Sequence, residues 1–310
     1  MNSSRPSRST ALGWTLALGS TVAFSFAPPV ARAAIVGGMD SNQLLMLRMV
    51  IATGLFGLTI LFTARHTLLM PRRAVLAAVL AGVVNSGGMI LFFLSLNYLE
   101  ASLGAMIIAL SPPLVLLLLA LRGERLTGRS LLRLGLALAG VYLLISPSGQ
   151  VHWAGAAMAL VATFLFALQM AMVQWTLVGY PVRGVVFYVT GAMTVFIVLW
   201  WLAQGAVWVM PDASGWFEVL MLAVVSTYIA RLGYYGAIGL IGSGQLALLG
   251  PLETMLSVIW SVAFLHERLA PWQLAGGVLI LLSAALAIER LGRGRVGRSR
   301  LGALDTGQGK

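Results

Sequence analysis

Residues 101–121 read ASLGAMIIALSPPLVLLLLAL, and this stretch contains no charged side chain. A helix of this length can cross the hydrocarbon core of a bilayer, which needs roughly 20 apolar residues. Similar apolar runs fill most of the 310-residue chain, which is 59% hydrophobic and 9% charged. Soluble domains carry about 25% charged residues. We therefore predict a polytopic integral membrane protein and exclude soluble enzymes and disordered chains.

Charged and turn-forming residues divide the apolar sequence into ten predicted helices. Turn motifs at 40–42, 71–73, 146–149 and 211–215 mark several of the breaks. The predicted helices cover residues 11–36, 43–63, 74–96, 101–121, 130–146, 152–176, 184–205, 215–238, 244–265 and 271–289. These helices leave almost no length for a soluble domain, so the fold class is an all-α integral membrane protein.

Basic residues accumulate on one side of this topology when the N-terminus is placed in the cytoplasm. Of the 20 Lys and Arg, Arg32 and Arg268 fall outside. Arg48 and Arg231 fall within predicted helices, which leaves 16 inside. Cytoplasmic loops of membrane proteins collect Lys and Arg, so both termini are predicted to be cytoplasmic. The same rule explains the formal charge of +11 without a nucleic-acid partner.

The N-terminal region also has features of a signal peptide. Arg5 and Arg8 precede an apolar run, and Ala31-Arg32-Ala33 resembles a cleavage site. The apolar run is longer than the usual 7–15 residues. We therefore expect this segment to be retained as the first helix.

Two short motifs repeat with a nearly constant spacing. Gly123-Glu124-Arg125-Leu126 follows the fourth predicted helix, and His266-Glu267-Arg268-Leu269 follows the ninth, at an offset of 143 residues. Upstream, Leu110-Ser111-Pro112 aligns with Leu252-Glu253-Thr254 at an offset of 142. We expect Glu124 and Glu267 to bond to local backbone or to the adjacent arginines.

The motif spacing divides the chain into two five-helix repeats, residues 11–147 and 152–289. A cytoplasmic tail of residues 1–10 precedes them, and a basic cytoplasmic tail of residues 290–310 follows. Because five is odd, the second repeat is inverted relative to the first. Inverted repeats are typical of transporters, in which two halves rock about a central site.

In these features the sequence resembles the drug/metabolite transporter superfamily, EamA type. The resemblance covers roughly residues 11–290 and implies secondary transport, often efflux of amino acids, other metabolites or drugs. One position departs from the family, since His266 stands where the motif usually has Gly. The residues that carry the resemblance are Leu47-Arg48-Met49, Ser111-Pro112, Gly123-Glu124-Arg125-Leu126, Leu249-Gly250-Pro251-Leu252-Glu253, His266-Glu267-Arg268-Leu269 and Gln273-Leu274-Ala275-Gly276-Gly277.

Charged and polar side chains within the predicted helices are candidates for solute binding or ion coupling, because they are costly in lipid. Glu253 is a candidate cation or proton site, with a structural hydrogen bond as the alternative. Arg231 would hold a substrate carboxylate, pair with Glu253, or extend toward the headgroups. Arg48 lies nearer the outer end of its helix, where outward extension is favoured. The further candidates are Asn85, Gln169, Tyr228 and Gln245.

Prolines within the predicted helices are candidate hinges. Pro112 and Pro251 lie at nearly equivalent depths in the two repeats, and Pro28 lies in the first helix. Proline removes a backbone donor and breaks the helical ladder. Broken helices at corresponding positions of two repeats indicate a binding site or a hinge, and a static kink is the alternative.

The sequence lacks the motifs of enzymes and metalloproteins. It has no cysteine, and its three histidines, His66, His152 and His266, have no metal-ligand spacing. Neither a Walker A sequence nor a GxSxG or HExxH motif is present. We therefore predict no catalytic residue, no metal and no cofactor.

The helices and the inverted repeat predict a secondary transporter that works by alternating access, and we expect it in a bacterial inner membrane. That it exports an amino acid or related metabolite is implied by the resemblance. The alternative is proton-coupled efflux of cationic or apolar drugs. More remote alternatives are a membrane-embedded lipid enzyme and a non-transporting scaffold. The expected partners are the small-molecule solute and membrane lipid, and a homodimer is compatible with the sequence.

Overall fold

The computed structural model describes residues 8–120, 128–145, 152–177, 179–205, 208–241, 249–283 and 286. Over these residues the chain is helical and has no strand. The helices are α1 Arg8–Ser25, α2 Ala27–Val36, α3 Ser41–Thr63, α4 Arg72–Ser95, α5 Ala101–Ile108, α6 Ser111–Ala120, α7 Gly128–Ile145, α8 Trp153–Thr176, α9 Val182–Ala203, α10 Ala213–Leu220, α11 Ala230–Ile241, α12 Gly250–Leu265 and α13 Pro271–Ser283. A short 3₁₀ helix, Arg65–Leu68, follows α3, and a π-helix, Met221–Ile229, joins α10 to α11.

Six helical stretches of the described chain are long and apolar enough to cross a membrane. They are Ala11–Val36, Ser41–Thr63, Arg72–Ser95, Trp153–Thr176, Val182–Ala203 and Ala213–Tyr234. Shorter apolar helices cover Ala101–Val115, Gly250–Leu265 and Pro271–Ser283. Large apolar side chains such as Phe62 and Leu199 are exposed on the outside of the bundle, as expected where helices meet lipid. The chain is therefore a multi-pass integral membrane protein, whereas ten spans and cytoplasmic termini stay predictions.

Two of the predicted helices are divided at positions followed by proline. The first is divided at Phe26, between α1 and α2, and the fourth at Ala109-Leu110, between α5 and α6. Pro28 and Pro112 then lie in the first turns of α2 and α6. Proline is tolerated there, because the amide hydrogen that it lacks would have no partner within the helix.

Two aspartates of the predicted turns are helix N-caps. Asp40 accepts a hydrogen bond of 2.7 Å from the backbone N–H of Gln43 at the start of α3. Asp212 accepts one of 2.7 Å from the N–H of Gly215 at the start of α10, and another from the hydroxyl of Ser214. The hydrogen bond from Gly215 lowers the pKa of Asp212 most, and the bond from Ser214 lowers it further. The caps satisfy N–H groups that have no partner within their helices.

The packing of the helices repeats between the two halves. The helix α4 packs along α8 and α9, and correspondingly α11 packs along α1 while the π-helix packs along α3. The contacts α3–α9 and α5–α12 join equivalent helices of the two halves to each other. Within the α3–α9 contact, the hydroxyl oxygens of Thr53 and Thr194 lie 2.7 Å apart. Exchanging the two halves therefore turns each of these contacts into its counterpart, as expected for an internal repeat. The α3–α9 contact lies at the centre of this arrangement.

Small residues allow the helices of the two halves to approach closely. A Cβ atom on Gly82 of α4 would lie 2.5 Å from the carbonyl oxygen of Val189 on α9. A Cβ atom on Gly88 would lie 2.7 Å from the ring of Phe166 on α8. On α8 the fully buried alanines are Ala156, Ala159, Ala162, Ala167 and Ala171. This packing of small residues is typical of membrane helices, whose association depends on close contact rather than on the hydrophobic effect.

Candidate functional site

A nine-residue π-helix, Met221–Ile229, lies inside one of the predicted membrane helices. Its wider turn lets the hydroxyl of Thr227 donate a 2.7 Å hydrogen bond to the carbonyl of Leu222, five residues earlier. Ser226 is buried, and its hydroxyl has no hydrogen-bond partner among the described residues. Because π-helices are rare and frequently occur at functional sites, this segment indicates where such a site lies.

Arg48 of α3 bonds to the π-helix instead of extending outward. Its side chain is 6% exposed, and its Nε donates a 2.9 Å hydrogen bond to the hydroxyl of Thr227. Its guanidinium carbon lies 5.6 Å from the centre of the Phe93 ring, a distance at which the ring face attracts a cation. The expected outward extension of Arg48 is therefore wrong, because Thr227 and Phe93 provide partners inside the protein.

Arg231 lies in α11, just beyond the π-helix, and its side chain bonds to α9. Its Nη1 donates a 2.7 Å hydrogen bond to the hydroxyl of Thr190 on α9. The guanidinium groups of Arg48 and Arg231 are close enough to repel each other. Neither forms an ion pair with a carboxylate of the described residues, so the expected alternative pairing with Glu253 is not formed. Arg48, Thr190, Thr227 and Arg231 are called the polar cluster below.

The arginines of the polar cluster have donors that no described residue uses. Among the described residues, Arg48 donates only through Nε, and Arg231 only through Nη1. Three described residues have a buried side-chain nitrogen or oxygen without a hydrogen-bond partner. They are Trp201, Ser226 and Ser257. The remaining guanidinium nitrogens are not among these atoms, and no described residue accepts a hydrogen bond from them.

Tyr228, a predicted candidate, fixes the π-helix to α3 beside the polar cluster. Its hydroxyl lies 2.5 Å from that of Thr59, which also bonds to the carbonyl of Leu55 at 2.9 Å. The Tyr228 ring contacts the ring of Phe56 edge-on, with centroids 5.3 Å apart. The phenol of Tyr228 therefore has a structural partner already in this conformation.

Two other predicted candidates have no hydrogen bond to the polar cluster, and a third lies outside the described residues. Asn85 on α4 and Gln169 on α8 are half-buried, and their side chains bond to none of the described residues. Gln245 lies outside the described residues. Their assignment to a solute site stays a prediction.

Glu253 lies in the first turn of α12 and is half-buried. Its backbone N–H bonds to the carbonyl of Leu249 at 2.9 Å, and no basic side chain of the described residues acts on its carboxylate. The positive end of a helix dipole favours an acidic side chain at this position. Pro251 shares this first turn, so the three candidate hinges Pro28, Pro112 and Pro251 all lie at helix starts.

The candidate residues predicted from the sequence did not include the threonines that hold the two arginines. Thr190 and Thr227 supply the hydroxyls that bond to Arg231 and Arg48. The repeat offset contained a signal for them, because Arg48 and Thr190 are 142 residues apart, and so are Asn85 and Thr227. Arg48 and Thr190 therefore occupy equivalent positions of the two repeats, and both belong to the polar cluster.

Glu267 of the repeated turn joins the two halves at one end of the bundle. Its carboxylate accepts hydrogen bonds from the backbone N–H groups of Ala101 and Ser102, at 2.7 and 3.0 Å, and from the Ser102 hydroxyl at 2.5 Å. It therefore caps α5 from the other repeat, rather than bonding locally or to Arg268 as expected. Glu124, the equivalent residue of the first repeat, lies outside the described residues.

Glu100 lies beside this cap, immediately before α5. Burial raises the pKa of its carboxyl, the charge of Glu267 raises it further, and Arg32 lowers it. Arg32 itself donates a hydrogen bond to the carbonyl of Leu96. Two carboxylates and one guanidinium thus meet where the ends of α2, α5 and α12 come together.

An open groove of about 450 Å³ between α4 and α9 lacks the chemistry of a polar site. Apolar side chains such as Val79, Val83 and Phe187 form its walls. None of the predicted candidate residues lines this groove. The polar cluster is therefore a better candidate for binding a polar solute.

Comparison with known proteins finds one family pattern twice in the chain. The pattern of the EamA-like transporter family matches residues 11–146 and 153–288. An uncharacterized transporter of Archaeoglobus fulgidus is 23% identical over 188 residues, which are 61% of this chain and 67% of that protein. A solved structure described only as the crystal structure of a protein covers 93% of this chain and 99% of its own, with a TM-score of 0.60 and 22% identity. At that identity the likeness shows the fold alone.

Proposed function

The chain belongs to the EamA-like transporter family, and from this premise we propose that it is a secondary transporter of a small organic solute. The proposed solute is an amino acid or a related metabolite, and the proposed direction is export across a bacterial inner membrane. The family and the name of the archaeal relative point to transport rather than to catalysis. Ten spans with cytoplasmic termini complete the proposed arrangement.

The polar cluster between the two repeats is the observation that supports this proposal. Its four residues lie on α3, α9, the π-helix and α11, within helices that are otherwise apolar. Charged groups in a membrane interior usually face a cavity or a partner. A site shared by two repeats is opened to one side and then to the other when the repeats tilt against each other.

The proposed pivots of this motion are the helix starts that contain proline. Pro112 and Pro251 lie in the first turns of α6 and α12, which belong to equivalent parts of the two repeats. Pro28 lies in the first turn of α2, after the break in the first membrane helix. At such positions the helical ladder is already interrupted, so a change of angle breaks few hydrogen bonds.

We propose Glu253 as the coupling group if transport is driven by protons. Its carboxylate has no basic partner among the described residues, so it can exchange a proton without breaking an ion pair. The test compares transport by the wild type and by Glu253→Gln under an imposed pH gradient. A variant that keeps the wild-type response would exclude Glu253 from coupling.

Glu253 also supports a second candidate function, proton-coupled efflux of cationic or apolar drugs. An unpaired carboxylate attracts organic cations, whereas the two arginines of the polar cluster repel them. The first candidate function therefore places the solute at the two arginines, and the second places it at Glu253. Transport of cationic drugs that requires Glu253 and not the arginines would favour this second function.

Counterflow in proteoliposomes tests the proposed function. Vesicles loaded with an unlabelled amino acid or drug are diluted into the labelled compound, with and without a pH gradient. A carrier gives a transient, saturable accumulation of label, which neither a channel nor a scaffold gives. Accumulation of no compound would contradict the proposed solute classes, and protein-free vesicles provide the control.

The proposed topology can be tested with single cysteines, since the sequence contains none. We expect His66→Cys, after α3, to react with an impermeant maleimide only in inverted vesicles. Trp208→Cys, before α10, should react only in intact cells. Labelling of both from the same side would contradict the proposed arrangement.

A further inference from the structure

Two cations lie at the interface of the repeats without an anion among the described residues. Arg48 is buried and Arg231 is half-buried. Their side-chain hydrogen bonds go to the neutral hydroxyls of Thr227 and Thr190. The two guanidinium groups repel each other, and Glu253 is bonded to neither of them.

This arrangement is costly unless an anion completes it. Burying a guanidinium removes most of its hydration, and a neutral hydroxyl returns only part of that loss. The Phe93 ring, 5.6 Å from the guanidinium carbon of Arg48, offers further but partial compensation. A second cation nearby increases the cost. An anion placed between the two arginines would pair with both guanidinium groups and offset the repulsion between them.

The free donors of the two arginines are suited to a carboxylate. No described residue accepts a hydrogen bond from the other guanidinium nitrogens, whereas the two side chains are held in place by Thr227 and Thr190. A planar guanidinium can present two parallel N–H groups, which match the two oxygens of a carboxylate. Because the donors are fixed before binding, little side-chain freedom is lost when the anion arrives.

We propose that Arg48 and Arg231 together bind the carboxylate of the transported solute, an inference that rests on the proposed function. The solute is then a zwitterionic amino acid, and not an organic cation. Thr190 and Thr227 are positioning residues in this site. They hold the guanidinium groups of the two arginines.

A lipid phosphate carries the same charge and would be recognised by the same arginines. A soluble carboxylate is favoured because Arg48 is 6% exposed and bonds inward to the π-helix, away from the lipid-facing surface. The experiment therefore uses discs of zwitterionic phosphatidylcholine, with phosphatidylglycerol added in a separate arm. This separates the two sources of anion.

The test measures the melting temperature of the full-length protein in these discs with each standard L-amino acid and with its α-amide. The amide keeps the side chain and the amino group but has no carboxylate. We expect at least one amino acid to raise the melting temperature and its amide to leave it unchanged. Arg48→Gln and Arg231→Gln should each weaken that amino acid's apparent affinity at least tenfold. Arg183→Gln, an exposed position at the start of α9, should leave it unchanged.

Each variant is compared with its own melting temperature without ligand, so a loss of stability does not mimic a loss of binding. Arg48→Lys, which keeps the charge, replaces Arg48→Gln if the latter does not fold. Equal shifts by acid and amide, full affinity in both glutamine variants, or no shift by any amino acid would overturn the proposal. A shift produced only by phosphatidylglycerol would assign the site to lipid and also overturn it.

The outcome can be separated from that of the proposed function. Arginine-dependent binding of an amino acid without counterflow would contradict transport and leave the carboxylate site in place. Counterflow of a cationic drug, with no effect of Arg48→Gln or Arg231→Gln, would leave transport in place and overturn the carboxylate site.

Discussion

The Nε of Arg48 on α3 and the hydroxyl of Thr227 on the π-helix form a 2.9 Å hydrogen bond between the two repeats. The two residues are 179 positions apart in the chain. The same hydroxyl donates to the carbonyl of Leu222, so the bond to Arg48 depends on the wider turn of the π-helix. This contact couples the position of a buried cation to the local shape of the helix that faces it.

We expect Thr227→Val to lower the free energy of unfolding by about 1.5–3 kcal/mol, the range for a hydrogen bond to a charged group. Thr227→Ser retains the hydroxyl and should cost less. Denaturant unfolding in mixed micelles, followed by tryptophan fluorescence, measures both. Equal losses in the two variants would show that the methyl group, and not the hydroxyl, stabilises this contact.

Gly82→Ala should destabilise the contact between α4 and α9. The new Cβ would lie 2.5 Å from the carbonyl oxygen of Val189, so the helices must separate, at a cost of about 1–3 kcal/mol. Gly54→Ala is the matched control, because a Cβ on Gly54 of α3 meets nothing within 4 Å. We expect the control to melt at or above the wild-type temperature. A similar loss in both variants would contradict the proposed close contact.

Glu267→Ala should weaken the attachment of α12 to α5. The change leaves the N–H groups of Ala101 and Ser102 without their carboxylate, at a cost of about 1.5–3 kcal/mol. A double-mutant cycle with Ser102→Ala should give a coupling energy of about 1 kcal/mol or more, because the two side chains are bonded directly. The exposed neighbour Arg268→Gln serves as the control. Zero coupling in the cycle would exclude the contact.

Stability should depend on pH through Glu100. Burial above all, and then Glu267, raise the pKa of this carboxyl, while Arg32 opposes them. The folded protein thus favours the protonated form. Glu100 contributes fully to stability when the pH is below the ordinary glutamate pKa of about 4.3. This contribution is lost as the pH rises through the raised pKa of the folded protein.

We expect Glu100→Gln to match the wild-type melting temperature near pH 4 and to exceed it near pH 7, with a flatter profile between. Melting curves of both proteins in nanodiscs across this range provide the measurement. A variant that melts below the wild type at neutral pH would show that the charged carboxylate stabilises the fold.

Much of the fold was predictable because its determinants are local. The predicted membership in the EamA-like family is confirmed, as is a multi-pass membrane protein. Residues 40–42 and 211–215 were predicted as turns, and Asp40 and Asp212 cap the helices that follow them. The predicted repeat boundaries and the roles of the candidate site residues stay predictions.

The candidate site was only partly predictable, because its contacts join distant parts of the chain. Arg48, Arg231 and Tyr228 were recognised as polar groups in apolar helices. Their partners belong to other helices and have ordinary threonine side chains, which carry no distinctive signal in a sequence. For the same reason the sequence did not reveal that Glu267 caps a helix of the other repeat.

The sequence by itself determined that this chain lies in a membrane, where most of its helices begin and end, and that its two halves are related. Those properties follow from hydropathy over about 20 residues, from caps and prolines at helix ends, and from motif spacing. Only the tertiary structure decided which buried charges are paired and which are left without a counter-ion. Pairing depends on distances of about 3 Å between side chains, and the folding of the helices against one another sets those distances.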